Sequence, residues 1–208
     1  DLGDVVLVGG LRYDAFDIGA NKWKDFPRLS SWPGITPETL DERLEPYTKH
    51  DYISPHIQVA FPVTDRTNFR LSYAQQVQTP DFAVALFGSN TDLSITNTNQ
   101  NYGNDLDFGK TVLFEFGVRH SFSDDMVLDV AVYNKDNLAN AAGRLLSLVD
   151  PRSGENVNIR QTVNADFGNT RGIDVALDRR FGNIFNGRLT YAYQDARNTG
   201  SDPYTYIN

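Results

Sequence analysis

Residues 110–135 (KTVLFEFGVRHSFSDDMVLDVAVYNK) constrain the fold more than any other part of the sequence. Hydrophobic side chains occupy every second position on both sides of a short polar turn, and they are Val112, Phe114, Phe116, Val118, Leu128, Val130 and Val132. The opposite positions carry charge: Glu115, Arg119, Asp129 and Lys135. Alternation of this kind across a tight turn is typical of a half-buried antiparallel hairpin. An apolar face opposite a charged face predicts the wall of a water-lined barrel.

The overall composition is compatible with such a wall and argues against several other classes. The 208 residues include 27 acidic and 19 basic side chains, a net charge of −8, so we expect no nucleic-acid partner. The chain has no cysteine, which excludes disulfides and thiolate metal sites. No apolar run reaches the roughly 18 residues of a membrane helix. A mean hydropathy of −0.43 still permits a membrane barrel, because every second wall residue faces water.

The same alternation predicts an all-β chain, an antiparallel meander of about seven strands. The predicted strands are residues 5–17, 51–61, 67–77, 110–122, 126–135, 164–181 and 188–197. Long connections (residues 18–50, 80–109 and 137–160) alternate with short turns (residues 62–66, 123–125 and 182–187). Bacterial outer-membrane barrels have this arrangement, with long extracellular loops and short periplasmic turns. A short helix at residues 36–41 and a bulge or strand edge at Pro55 are further expectations.

Aromatic residues support the membrane interpretation, although a second interpretation stays open. Phenylalanines lie beside the short turns and mostly tyrosines toward the long loops, as in the two aromatic girdles of a membrane barrel. The alternative is a soluble secreted β-sandwich acting as an adhesion or glycan-binding module. In a sandwich the apolar faces would meet each other, whereas in a barrel they face outward. About seven strands cannot close a barrel without open edges in lipid, so the chain would be a fragment.

Several local motifs carry a resemblance to a known family. They include GLRYD at residues 10–14, the run SPHI…FPVTD…FRLSYA within residues 54–74, GND followed by EFGVRH within residues 103–120, and NTRGID at residues 169–174. Together they resemble the barrel domain of TonB-dependent outer-membrane receptors. Residues 105–111 and 133–144 are most similar to the Oar-like, carboxypeptidase-regulatory-like branch. His56 and Asp105 depart from the residues that are usual at these positions.

The resemblance implies a fold and a function. It implies that residues 1–208 are part of a barrel of about 22 strands whose lumen is plugged, with the family's plug domain and TonB box outside this sequence. Such a receptor lies in the outer membrane of a Gram-negative bacterium, binds a scarce extracellular ligand and imports it with energy from the inner membrane. The implied partners are outer-membrane lipid, the plug, a TonB-type complex and an unknown small ligand.

No enzymatic chemistry is predicted, because no nucleophile and base can be placed together. No cofactor or metal is predicted either, since His50, His56 and His120 lack neighbours at ligand spacing; Asp105 and Asp107 are only a weak candidate for calcium. We expect ligand contacts from loop aromatic residues: Trp23, Trp32, Phe87 and Tyr102. We expect a second, charged set to face the lumen and plug: Arg12, Arg70, Glu115, Arg119, Asp174, Asp178 and Arg180.

Overall fold

A computed structural model describes residues 5–24, 42, 44–86, 101–102, 105–149, 156–180 and 185–199. Its strands, in chain order, are β1 (Val6–Phe16), β2 (Asn21–Trp23), β3 (Leu44–Pro46), β4 (His50–Thr64), β5 (Thr67–Gln78), β6 (Asn101–Tyr102), β7 (Gly109–Ser121), β8 (Met126–Val149), β9 (Asn156–Arg179) and β10 (Gly187–Asn198). A one-turn helix, α1 (Phe82–Ala85), follows β5, and Asp81 caps its N-terminus. None of the described helices is long and apolar enough to span a membrane.

The long strands form one antiparallel meander, which confirms the predicted fold class. Their order in the sheet is β1-β4-β5-β7-β8-β9-β10, so each long strand pairs with the next one in the chain. Two residues, Asp65 and Arg66, connect β4 to β5, and residues 122–125 connect β7 to β8. The short strand β6 pairs in parallel with β9, and β2 and β3 form a separate ribbon.

The two faces of the sheet differ in chemistry. One register row of the apolar face consists of Leu7, Val59, Leu71, Phe116, Val132, Ile173 and Tyr193. None of these seven side chains is buried, and Leu7 is 70% exposed. Leu189, on the same face of β10, is 71% exposed. Over the described residues no second large sheet covers this face. The sandwich alternative is therefore wrong, because it requires two apolar faces packed together.

One predicted loop is wrong. Residues 137–160 were expected to be an irregular connection, but β8 continues to Val149 and β9 begins at Asn156. The two strands stay paired along this extension, with Leu145 opposite Arg160, for example. The side-chain alternation fades in this extension, whereas the backbone pairing needs no such pattern. The predicted helix at residues 36–41 lies outside the described residues.

Pro55 lies inside β4, where its effect is local. It stands opposite Leu11 of β1, but the pairing of β4 with β5 begins only at His56, which lies opposite Ala74. Proline has no N–H to donate to a ladder, so it fits a position where one side of the strand is unpaired. At Pro55 the pairing of β4 with β5 ends, which fits the predicted strand edge, whereas the register shift in this pair lies between Pro62 and Thr64.

Much of the described core lies at the loop end of the sheet. Leu106 and Phe108, in the segment before β7, are 0% and 1% exposed. The ring of Phe108 meets the ring of Phe16 edge-on at 4.8 Å, and Phe16 also contacts Phe82 of α1 at 5.8 Å and stacks on His50 at 5.2 Å. We call Phe16, His50, Phe82 and Phe108 the loop-end cluster. It holds both ends of the connection between β5 and β7 against the ends of β1 and β4.

Candidate functional site

The polar face of the sheet forms a concave recess of about 560 Å³. Its charged lining residues are Arg70, Glu115, Arg119, Asp129, Asp174, Asp178, Arg180 and Arg188. Six of the seven charged residues predicted to face the lumen therefore lie around one recess. These six come from three strands or their ends, β5, β7 and β9, and they meet because alternate residues of paired strands share a face.

Arg70 is the most connected charge in the recess. Its guanidinium donates two hydrogen bonds to the Asp129 carboxylate, at 2.9 Å and 2.8 Å, and a third to Glu115 at 3.3 Å. A fork of two parallel bonds fixes the orientation of both partners. Gly117, opposite Arg70 in register, leaves the space that the Arg70 side chain occupies.

The remaining charges of the recess are looser. Arg188 approaches Asp178 at 3.7 Å, with 61% of the arginine side chain exposed. Arg119 stands opposite Asp129 in register, and Arg119, Asp174 and Arg180 are exposed. Arg188 was missing from the predicted set, although its position on the same alternation as Thr190 and Ala192 could have identified it.

Arg12 lies apart from the other six, on a second recess of about 260 Å³ between β1, β4 and β5. Its Nε donates to Asp14 at 3.0 Å, and Ser54 stands opposite it in register. Small side chains at Gly10 and Ala74 form part of the lining, together with His56. This recess is polar but is not continuous with the charged network of Arg70.

A second set of polar contacts fixes the ends of the long loops through Asp105. The Lys22 ammonium donates to the Asp105 carboxylate at 2.7 Å, and the backbone N–H of Thr48 donates at 3.2 Å. Partial burial acts to raise the pKa of Asp105, but the hydrogen bonds from Lys22 and Thr48 outweigh it and hold the pKa below its usual value. Asp105 thereby joins the β2–β3 ribbon to the segment before β7.

Asp107 makes a parallel set of contacts two residues later. Lys110 approaches its carboxylate at 2.9 Å and His50 at 3.2 Å. Asn164 of β9 donates to the Asp107 carbonyl at 2.9 Å and accepts from the Asp107 N–H at 2.8 Å. Burial opposes ionisation of Asp107, yet the hydrogen bonds from Lys110 and the Phe108 N–H leave its pKa lowered.

These contacts also bear on the calcium alternative. Lys22 and Lys110 supply positive charge to the carboxylates that a cation would need. Within the described part of the chain, no group of three or more acidic, histidine or cysteine side chains is arranged to hold a metal ion. The loop segment therefore uses its acids to bind other parts of the loops.

The structure describes the backbone of two of the four predicted ligand-binding aromatic residues. The backbone of Trp23 ends β2, and the backbone of Tyr102 ends β6, which pairs with β9. Trp32 and Phe87 lie outside the described residues. Their role in ligand binding stays a prediction.

Comparison with known proteins decides the family. The profile of the family described as TonB dependent receptor-like, beta-barrel, matches residues 1–208. The chain belongs to the TonB-dependent receptor β-barrel family. The antiparallel meander of the structure is the fold expected of part of such a barrel. Its assignment to the Oar-like branch stays a prediction.

Solved structures of similar fold include two metal transporters. The FrpB iron transporter from Neisseria meningitidis (F3-3 variant) matches with a TM-score of 0.59 and 16% identity over 95% of this chain and 24% of its own. The copper transporter OprC matches with a TM-score of 0.52 and 13% identity over 91% of this chain and 27% of its own. At these identities the likeness shows the fold alone. A search of curated protein sequences found no match.

Proposed function

We propose that this chain is part of a TonB-dependent receptor that binds a scarce extracellular ligand and imports it across the outer membrane of a Gram-negative bacterium. The observation that carries the proposal is the single meander with an exposed apolar face and a charged concave face, in a chain matched by the family profile over residues 1–208. The chain spans 24% to 27% of the length of the solved transporters it resembles. The proposed partners are a plug domain and a TonB-type complex.

The charge pattern of the recess suits a barrel wall that makes reversible contacts with a plug domain. Four arginines and four acids line it, so the surface has little net charge despite being strongly polar. Half-exposed ion pairs such as Arg188 with Asp178 contribute only about 0–1 kcal/mol each. Many weak, well-hydrated contacts can hold a plug in place and still let it rearrange when it is pulled.

Ligand capture is assigned to the long loops. The Lys22–Asp105 ion pair and the loop-end cluster fix the bases of two of these loops, close to the backbone of Trp23. A fixed base reduces the ordering entropy that the loop loses when it binds a ligand.

Energised uptake by the full-length receptor tests the proposal. Cells that produce it would be supplied in turn with a radiolabelled iron(III) chelate, cobalamin and a labelled oligosaccharide, with and without a protonophore. We expect accumulation of one probe that the protonophore abolishes, while surface binding of that probe persists. A variant lacking the TonB box should bind the probe without accumulating it.

Two outcomes would overturn the proposal. One is a receptor that fractionates away from the outer membrane and lacks the heat-modifiable gel mobility of a folded barrel. The other is a receptor that binds a probe on the cell surface and accumulates none of the three in an energy-dependent way. The family is one of receptors and transporters rather than enzymes, so turnover of a probe is not expected.

A further inference from the structure

The apolar face changes character along a single register row. In this row Ile57, Tyr73 and Phe114 on β4, β5 and β7 are followed by Asn134, Arg171 and Asp195 on β8, β9 and β10. Strands of membrane barrels are tilted by about 35–45° from the barrel axis, and neighbouring strands lie about 4.8 Å apart. Because a row of register partners runs perpendicular to the strands, it rises along the barrel axis by about 3 Å from each strand to the next. The row therefore leaves the apolar layer between β7 and β8.

Beyond this boundary, β8 and β9 carry an outward-facing polar network. Asn169 donates to Asn134 at 2.8 Å and also donates to Asp136, while Asn134 donates to Asp136 at 2.8 Å. Arg171 donates to Asn169 at 2.9 Å. We call these four residues the outer network. On β10 its register neighbours are Asp195 and Arg197.

A groove of about 450 Å³ lies beside the outer network, on the same face of the sheet. Asp136, Asn169 and Arg197 form its polar side. Leu138 and Phe167, which are 45% and 55% exposed, form its apolar side. An exposed aromatic ring beside amide and carboxylate groups offers a flat apolar surface and hydrogen-bonding groups together, which is what a sugar ring requires.

The height of the groove favours a lipid with a large headgroup. Asp136 and Asn169 lie four residues beyond Val132 and Ile173, about 13 Å along the strands and about 10 Å above the apolar edge after allowing for tilt. The headgroup layer of an ordinary phospholipid adds only about 5–8 Å on each side of the hydrocarbon. A phospholipid would therefore reach little of the groove, whereas a saccharide headgroup would extend into it.

We propose that this groove binds the sugar headgroup of a glycolipid in the outer leaflet of the membrane. The groove lies on the same face of the sheet as the apolar rows, so the headgroup of a lipid packed against those rows would lie next to it. Two arginines, Arg171 and Arg197, are balanced by Asp136 and Asp195, which suits a hydroxyl-rich group better than a bare phosphate. The proposal depends on the position of the barrel in the membrane and not on import.

Binding of two purified glycolipids to the full-length receptor in detergent tests this. The probes are a lipopolysaccharide with a short core oligosaccharide and the lipid A portion that lacks core sugars. We expect the receptor to bind the short-core form about tenfold more tightly, a difference that a few hydrogen bonds to sugar hydroxyls supply. The double variant Phe167→Ala, Asn169→Ala should bind both probes equally.

The matched control is Thr170→Ala, on the neighbouring residue that faces the polar side of β9 opposite Lys135. It should keep the preference for the short-core form. If the double variant lacks heat-modifiable mobility, the single variant Phe167→Ala, at an exposed position, replaces it. The proposal is wrong if the unaltered receptor binds both probes equally, which is the result expected if protein covers the groove. It is also wrong if a folded variant of the groove keeps the preference for the short-core form. Neither result depends on whether uptake is energised.

Discussion

The Arg70 side chain lies over Gly117, its register partner on β7. A β-carbon at Gly117 would lie 2.6 Å from both Nε and Cζ of Arg70. From this position Arg70 reaches Asp129 and Glu115, on β8 and β7. The ion network of the inner wall therefore depends on the absence of a side chain at one residue.

Gly117→Ala should weaken the barrel, because the new methyl group displaces the Arg70 guanidinium from its carboxylate partners. We expect a loss of about 1–2 kcal/mol, set by the charged hydrogen bonds that are broken. The temperature at which the full-length receptor loses its compact gel mobility measures it. Gly9→Ala is the control, since a β-carbon there meets nothing within 4 Å. In an Arg70→Ala background the Gly117→Ala effect should vanish; an unchanged effect would contradict this account.

A double-mutant cycle should show strong coupling between Arg70 and Asp129. The cycle uses Arg70→Ala and Asp129→Asn, singly and together. The two-bond fork predicts a coupling of about 1–2 kcal/mol in the free energy of unfolding. The same cycle on Arg188 and Asp178, which are 3.7 Å apart and of which the arginine is 61% exposed, should give a coupling near zero. Equal couplings for the two pairs would show that the fork has no special role.

Arginine substitutions at two partners in one register row should locate the edge of the membrane. Phe114 and Asn134 stand opposite each other on β7 and β8. We expect Phe114→Arg to cost about 2 kcal/mol and Asn134→Arg less than about 1 kcal/mol, because the penalty for charge falls from the bilayer centre to the interface. Refolding into lipid vesicles under urea titration measures both. Similar costs would mean that the row does not cross the boundary between β7 and β8.

Acid should release the loop contacts made by Asp105 and Asp107. Their pKa values in the folded chain lie below the unfolded value of about 3.9, so the stability they contribute is complete above that pH. It is lost as the pH falls through the folded pKa values. The reporters are the N–H groups of Thr48 and Phe108, which donate to Asp105 and Asp107.

Amide hydrogen exchange, corrected for its intrinsic pH dependence, measures this release. Exchange at Thr48 and Phe108 should stay constant from about pH 7 to 5 and rise below about pH 4. In Asp105→Asn, Thr48 should already exchange faster at neutral pH, with Phe108 still sensitive to acid. Acid-independent protection of both amides in the unaltered chain would refute the assignment.

Much of the fold was predictable because a membrane wall imposes its chemistry on the local sequence. Lipid on one side and water on the other force a two-residue period, so the strands, the short turns and the two faces can be read from residues such as Val112 to Val118 and Asp174 to Asp178. The same period identified most charges of the polar recess. The extension of β8 and β9 was missed because its side chains do not alternate, although its backbone is paired.

The tertiary structure alone decided which charges are partners and how the loops are held. Nothing in the local sequence pairs Arg70 with Asp129, which lie on strands that are not adjacent, or Lys22 with Asp105, which lie in different connections. Sequence alternation fixes the face on which a side chain lies. The partner depends on register and on long-range chain reversal, and these are set by backbone pairing and loop packing across the whole sheet.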